Sequence, residues 1–155
     1  MLILTLQKVI SKSDIEKNIG TKGIIKNRKG YITKAADAKH LESFEDLYNG
    51  LRLDYPGTEF FIADGSCGVI RFTSKETKSV VIPSGGTYAM YEYPFTAHGF
   101  SAGKSGRLGA PEWHLTNEVE FIEGAEIFEV FNDGTEVLVA RLQKVGQNLQ
   151  FVKIE

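Results

Sequence analysis

Apolar and polar positions along this chain change their period once. The opening MLILTLQKVI is apolar for only a few residues and predicts a first strand. Ser13 and Glu16 have capping-box spacing, Ile15 and Ile19 fall on one side, and Gly20 can stop the element, so a short helix is predicted over Asp14–Ile19. The lysine-rich TKGIIKNRKGYI that follows reads as a loop or irregular hairpin. From Lys34 to Asn49 the positions Ala36, His40, Leu41, Phe44, Leu47 and Tyr48 recur at helical spacing, with Thr33 able to cap the start and Gly50 to end it. After YPGT the helical period stops. EFFIA, GVIRFTS, SVVIP and TYAMYEY are short, rich in β-branched and aromatic residues, and separated by DGS, KETK and SGG turns. EVEFI, then EIFEVF and EVLVARL joined by NDGT, then LQFVKI after VGQN, predict an antiparallel meander. The expected fold is α+β, with short N-terminal helices followed by a β-rich body of mainly antiparallel strands. No repeat, low-complexity tract or linker divides it, so residues 1–155 are expected to form a single domain.

Composition narrows the partners. With 155 residues, 42% hydrophobic and 25% charged, the chain is long enough to bury a real core. A formal net charge of -2 supplies no global attraction to nucleic acid or anionic lipid. The densest basic stretch, Lys22 to Lys34, has only Tyr31 among its lysines and arginine and reads as a solvated loop, so nucleic acid is not the expected partner. No basic region precedes the apolar opening and no small-residue cleavage site follows it, so neither a signal peptide nor a membrane span is expected. The single cysteine, Cys67, excludes an internal disulfide and reads as a small core side chain. His40, His98, His114 and Cys67 show no metal-ligand pairing, so no metal is expected.

Candidate chemistry concentrates in HGFSAGKSGRLGAPEWHL, His98 to Leu115. A phosphate-binding P-loop needs four residues between its glycines so that successive N–H groups curl around the phosphates; Gly99 and Gly103 leave three, and two glycines and a proline occupy the place of the required helix. The stretch is better read as a long loop between strands. His98, Lys104, Arg107, Glu112 and His114 can supply acid, base and anion contacts, and Trp113 a stacking surface. The alternative, that Trp113 plugs the edge of the core while the charged side chains stay solvated, stands beside it.

Pro56-Gly57-Thr58, then Gly68-Val69-Ile70-Arg71-Phe72, then Phe100-Ser101-Ala102-Gly103, then Gly109-Ala110-Pro111-Glu112-Trp113 resemble, in order, the motifs of NAD glycohydrolase toxins of the necrotizing-toxin type; glutamate stands where that family has a catalytic glutamine. The segment Glu118-Val119-Glu120 with Gly124 resembles the E-x-E turn of mono-ADP-ribosyltransferase toxins, with Arg71 in the place of their strand arginine. Their Ser-Thr-Ser strand has no counterpart. Both resemblances imply a toxin or effector domain that takes NAD as substrate, with no further cofactor, and cleaves its nicotinamide–ribose bond. They imply that Arg71 holds the pyrophosphate through a planar fork, and that Glu112 or Glu120 faces the oxocarbenium charge that develops at the ribose. Glu118 completes the E-x-E pair, Lys104 and Arg107 add anion contacts, His98 positions water or phosphate, and Trp113, or Tyr91 and Tyr93, stacks on a ring. An immunity protein is the implied protein partner. Action in the cytoplasm after delivery within a larger secreted protein is the implied setting. Two other functions fit the same residues: a metal-independent ribonuclease using His98 or His114 with Glu112, and a non-enzymatic immunity or adaptor module using the 98–114 loop as an interface.

Overall fold

EIFEVF, EVLVARL and LQFVKI form the expected meander, without EVEFI, in the computed structural model of the chain, which describes residues 5–22, 24–25, 31–35, 39–51, 53, 57–73, 80–81, 113–115 and 119–154. Strands β8 (Glu126–Phe131), β9 (Glu136–Val145) and β10 (Asn148–Lys153) pair antiparallel in sequence order. The β8–β9 turn takes its shape from NDGT. Gly134 sits at φ 87°, a left-handed conformation that costs glycine least, while the Thr135 N–H donates to Asp133 Oδ1 at 2.8 Å. On its other edge β8 pairs with β4 (Ser66–Phe72), β4 with β1 (Leu6–Ile10), and β1 with β3 (Tyr31–Lys34). The sheet continues through β6 (Trp113–Leu115) to β5 (Val80–Val81), giving the order β10-β9-β8-β4-β1-β3-β6-β5 with every pairing antiparallel. A separate small pairing joins β2 (Ile24–Ile25) to β7 (Val119–Glu120). With helices α1 (Lys12–Asn18) and α2 (Phe44–Gly50), this is a mixed α+β fold. Both helices lie in the first third, interleaved with β1 to β3.

Strand β4 is central and buried on both faces, which is why SCGVIRF reads as a nearly continuous apolar run. On one face α1 lays Ile15 over Leu6, Ile10, Ile70, Phe72, Ile127, Ala140, Leu142 and Phe151. The close approach depends on Gly68: a Cβ there would stand 2.6 Å from Ile10 Cγ1 and 2.7 Å from Ile15 Cγ1. Gly68→Ala is therefore expected to push α1 off the sheet and lower stability by about 1–3 kcal/mol, read from the denaturant midpoint. A wild-type midpoint would show that α1 yields without cost. On the other face α2 and the segment after it bring Phe44, Leu47, Leu51, Leu53 and Phe60 onto Cys67, Val69 and Val130.

Several sequence expectations are corrected. The helix predicted over Lys34–Asn49 begins only at Phe44: Ser43 is its cap, its Oγ accepting from the Asp46 N–H at 3.1 Å, while Lys34 belongs to β3 and Thr33, the predicted cap, stands opposite Gln7. Ladder pairing with β1 takes Lys34 from the predicted helix, and the Ala35 N–H donates to Thr5 O at 3.0 Å. The first helix starts at Lys12 rather than Asp14, because β1 ends at Ile10 and leaves buried Ser11 as the junction, its carbonyl accepting from Asp14 N–H at 3.0 Å. EFFIA is not a strand; Ile62–Asp64 form one 3₁₀ turn and Phe61 is exposed. Part of the lysine-rich stretch read as loop or hairpin supplies β2 and the start of β3. The predicted TYAMYEY strand lies outside the described residues. No helix among the described residues is long and apolar enough to cross a membrane.

Candidate functional site

Strand alternation puts Arg71 on the face that α2 covers, two and four residues beyond Val69 and Cys67. Past the α2 footprint that face turns polar. Register places Thr33, Gln7, Arg71, Glu126 and Arg141 side by side across β3, β1, β4, β8 and β9, so their side chains share one cross-strand row. A β-bulge at Ile127/Phe128 lets Leu138 oppose Phe128 while Ala140 opposes Ile127, so residues two apart on β9 point to opposite faces. The bulge turns Glu136 toward the row.

The guanidinium of Arg71 lies 4.7 Å from the centre of the Phe128 ring, a cation–π placement. Its Nε donates to Gln7 Oε1 at 3.4 Å, and its two terminal nitrogens grip Glu136, Nη1 to Oε2 at 3.0 Å and Nη2 to Oε1 at 2.5 Å. Gln7 is buried, whereas the Arg71 and Glu136 side chains keep 30% and 38% of their surface in solvent, so the pair is a screened one that contributes about 0.2–1 kcal/mol. The Arg71 hydrogen bond, helped by its charge and opposed by desolvation, holds the Glu136 carboxyl below the usual glutamate range. Beside it Arg141 Nη2 meets Glu126 Oε2 at 3.0 Å. At the β3 end of the row, buried Thr33 Oγ1 has no hydrogen-bond partner among the described residues.

On the opposite parity of β4, buried Ser66 donates from Oγ to Glu129 Oε2 at 2.5 Å. Next to it, burial and then the Glu129 charge push the Cys67 thiol up to about 12, which leaves it protonated and unreactive. An aromatic disulfide reagent is expected to leave Cys67 untouched in the folded protein and to titrate it fully in denaturant; rapid labelling under native conditions would contradict this burial.

Of the residues singled out from the sequence, Arg71 is described with its partners, and the others only in part. Glu120 pairs through its backbone with Ile24, and Trp113 and His114 pair in β6 with Ile32 and Tyr31. Glu112, Glu118, His98, Lys104 and Arg107 lie outside the described residues. Strands β4 and β6 belong to one sheet with β1 and β3 between them, which separates their axes by about 14 Å at the usual strand spacing. Gln7, Glu136 and Phe128 carry no spacing signal in the sequence; only the pairing of distant strands brings them to Arg71. Among the described residues, no three His, Cys, Asp or Glu side chains gather as a metal site. Set beside known proteins, the chain matches no family model, no curated protein and no solved structure.

Proposed function

We propose that the chain is the catalytic domain of an NAD-consuming toxin or effector that cleaves the nicotinamide–ribose bond. One observation carries this reading: Arg71 presents a planar, half-exposed guanidinium from a rigid central strand, backed by the Phe128 ring and oriented by Gln7. A fork so held suits two oxygens of a pyrophosphate better than a mobile lysine would. In this reading Glu112 or Glu120 faces the ribose as the bond to nicotinamide breaks, and stabilises charge that exists only in the transition state. Glu118 steadies the second carboxylate, Trp113 stacks on a ring, His98 positions water, and Lys104 and Arg107 hold the remaining phosphate oxygens. NAD is the substrate and no further cofactor takes part. The setting proposed is the cytoplasm of a target cell, after delivery within a larger secreted protein, with an immunity protein as protein partner.

The test is release of nicotinamide from NAD. Arg71→Ala is expected to raise KM through weaker capture, and Glu112→Ala or Glu120→Ala to lower kcat. Wild-type protein that leaves NAD intact sinks the reading, and full turnover in both carboxylate variants removes their role. A non-enzymatic binding module is the second reading. It draws on Phe61 and Ile62, large apolar side chains exposed side by side at the turn before β4.

A further inference from the structure

The reading of Arg71 as a phosphate anchor leaves Glu136 unexplained. This carboxylate occupies both terminal nitrogens of the fork, the same donors that two phosphate oxygens would take. It comes from β9, two strands away from β4, and reaches Arg71 diagonally across the Phe128 ring, since register sets Glu136 opposite Val130 and Arg71 opposite Glu126. An arginine needing only a structural partner has a nearer one: Glu126 stands directly across from it, yet pairs instead with Arg141. The ion pair is partly solvated on both sides, so an incoming anion can replace the carboxylate without stranding a charge in the core. At the other end of the row, the buried Thr33 hydroxyl retains hydrogen-bonding capacity unused by the described residues.

We propose that Glu136 is a built-in stand-in for a diphosphate: it closes the Arg71 fork in the free protein, and a diphosphate-bearing ligand binds by displacing it. The inference rests on the assignment of Arg71 to phosphate, and it adds an internal competitor. A ligand that needs the open fork binds with an affinity reduced by the fraction of molecules in which the fork is open. Anions that engage only one nitrogen gain less from displacement, so the carboxylate also favours ligands with two oxygens in fork geometry.

The probe is inorganic pyrophosphate, titrated calorimetrically into the full chain at fixed ionic strength. Glu136→Ala is expected to bind it about fivefold more tightly than wild type, the change a partly exposed ion pair at the upper end of its usual strength accounts for. Glu136→Gln, which keeps an oxygen acceptor, is expected between the two. Thermal melts confirm that each surface variant is folded. Removing a negative charge also aids any anion through space, so the same substitution is made beside Arg71→Lys, which keeps the positive charge and loses the fork; there the tightening is expected to vanish. Wild-type affinity in both Glu136 variants overturns the proposal, as does a gain that persists in the Arg71→Lys background. Tightening in either variant that depends on Arg71 upholds it. Nicotinamide release is scored separately. Fork-dependent tightening without NAD turnover keeps the stand-in and removes the enzymatic reading, whereas NAD turnover with unchanged pyrophosphate affinity does the reverse.

Discussion

Phe44→Ala is expected to destabilise the protein by about 3–5 kcal/mol, because it removes a fully buried ring from a place the backbone cannot close. Phe44 is the first residue of α2, a helix of seven residues that is too short to persist on its own hydrogen bonds. Packing must therefore hold it in place. The ring meets Tyr48 edge-on, centroids 6.0 Å apart, and joins Leu47, Leu51 and Phe60 over Val69, Cys67 and Val130. A loss of that size is a large share of the 5–15 kcal/mol that usually separates folded from unfolded domains. Chemical denaturation should show a midpoint shift at unchanged slope. Cys67, shielded by the same cluster, should become labelled at a rate that follows the new unfolding equilibrium. A shift under 1 kcal/mol would mean that α2 is not the lid on this side of the sheet.

What the sequence discloses about the fold follows the range of the interactions involved. The meander from EIFEVF to LQFVKI is legible because each strand pairs with its chain neighbour, and NDGT and VGQN carry their own turn chemistry. The helix expected over Lys34–Asn49 loses its start because Lys34 pairs with β1, more than twenty residues earlier in the chain, and no local spacing announces that partnership; the helix begins instead at Phe44, behind the Ser43 cap. EFFIA carries strand composition yet ends in a 3₁₀ turn, since the chain must enter β4 there, and Gly65 at φ 73° completes the change of direction. For the site the same rule applies more severely. Arg71 stands out from its type and its place in an apolar strand. Its partners Gln7, Phe128 and Glu136 come from β1, β8 and β9, and the bulge that turns Glu136 toward it has no signature in EVLVARL, where four consecutive apolar residues, Val137 to Ala140, leave the facing of Glu136 open.

Phe151→Ala should be as costly, and should also change how molecules meet one another. Phe151 is buried in β10, the last strand of the sheet, where its ring meets Phe121 at 6.1 Å in an edge-on contact and Phe121 in turn stacks on Phe72 at 4.3 Å. Deleting a buried ring of this kind costs about 3–5 kcal/mol. The same residue anchors the sheet's outer edge. Its carbonyl accepts from Gly20 N–H at 2.8 Å and its N–H donates to Thr21 O at 2.9 Å, so the segment after α1 is clipped along β10 and occupies groups that another chain would otherwise pair with. Leu149 and Ile19 pack against the cluster that the ring belongs to, and without the ring the clip should loosen. The expected result is a lowered denaturant midpoint together with concentration-dependent association, measured by light scattering, beyond any that the wild type shows at the same denaturant levels. Phe121→Ala separates the two effects, since it opens the same aromatic cluster from outside the edge strand. Equal association in both variants would assign it to general loss of stability, whereas association confined to Phe151→Ala follows from unclipping β10, whose free groups then recruit a second sheet edge.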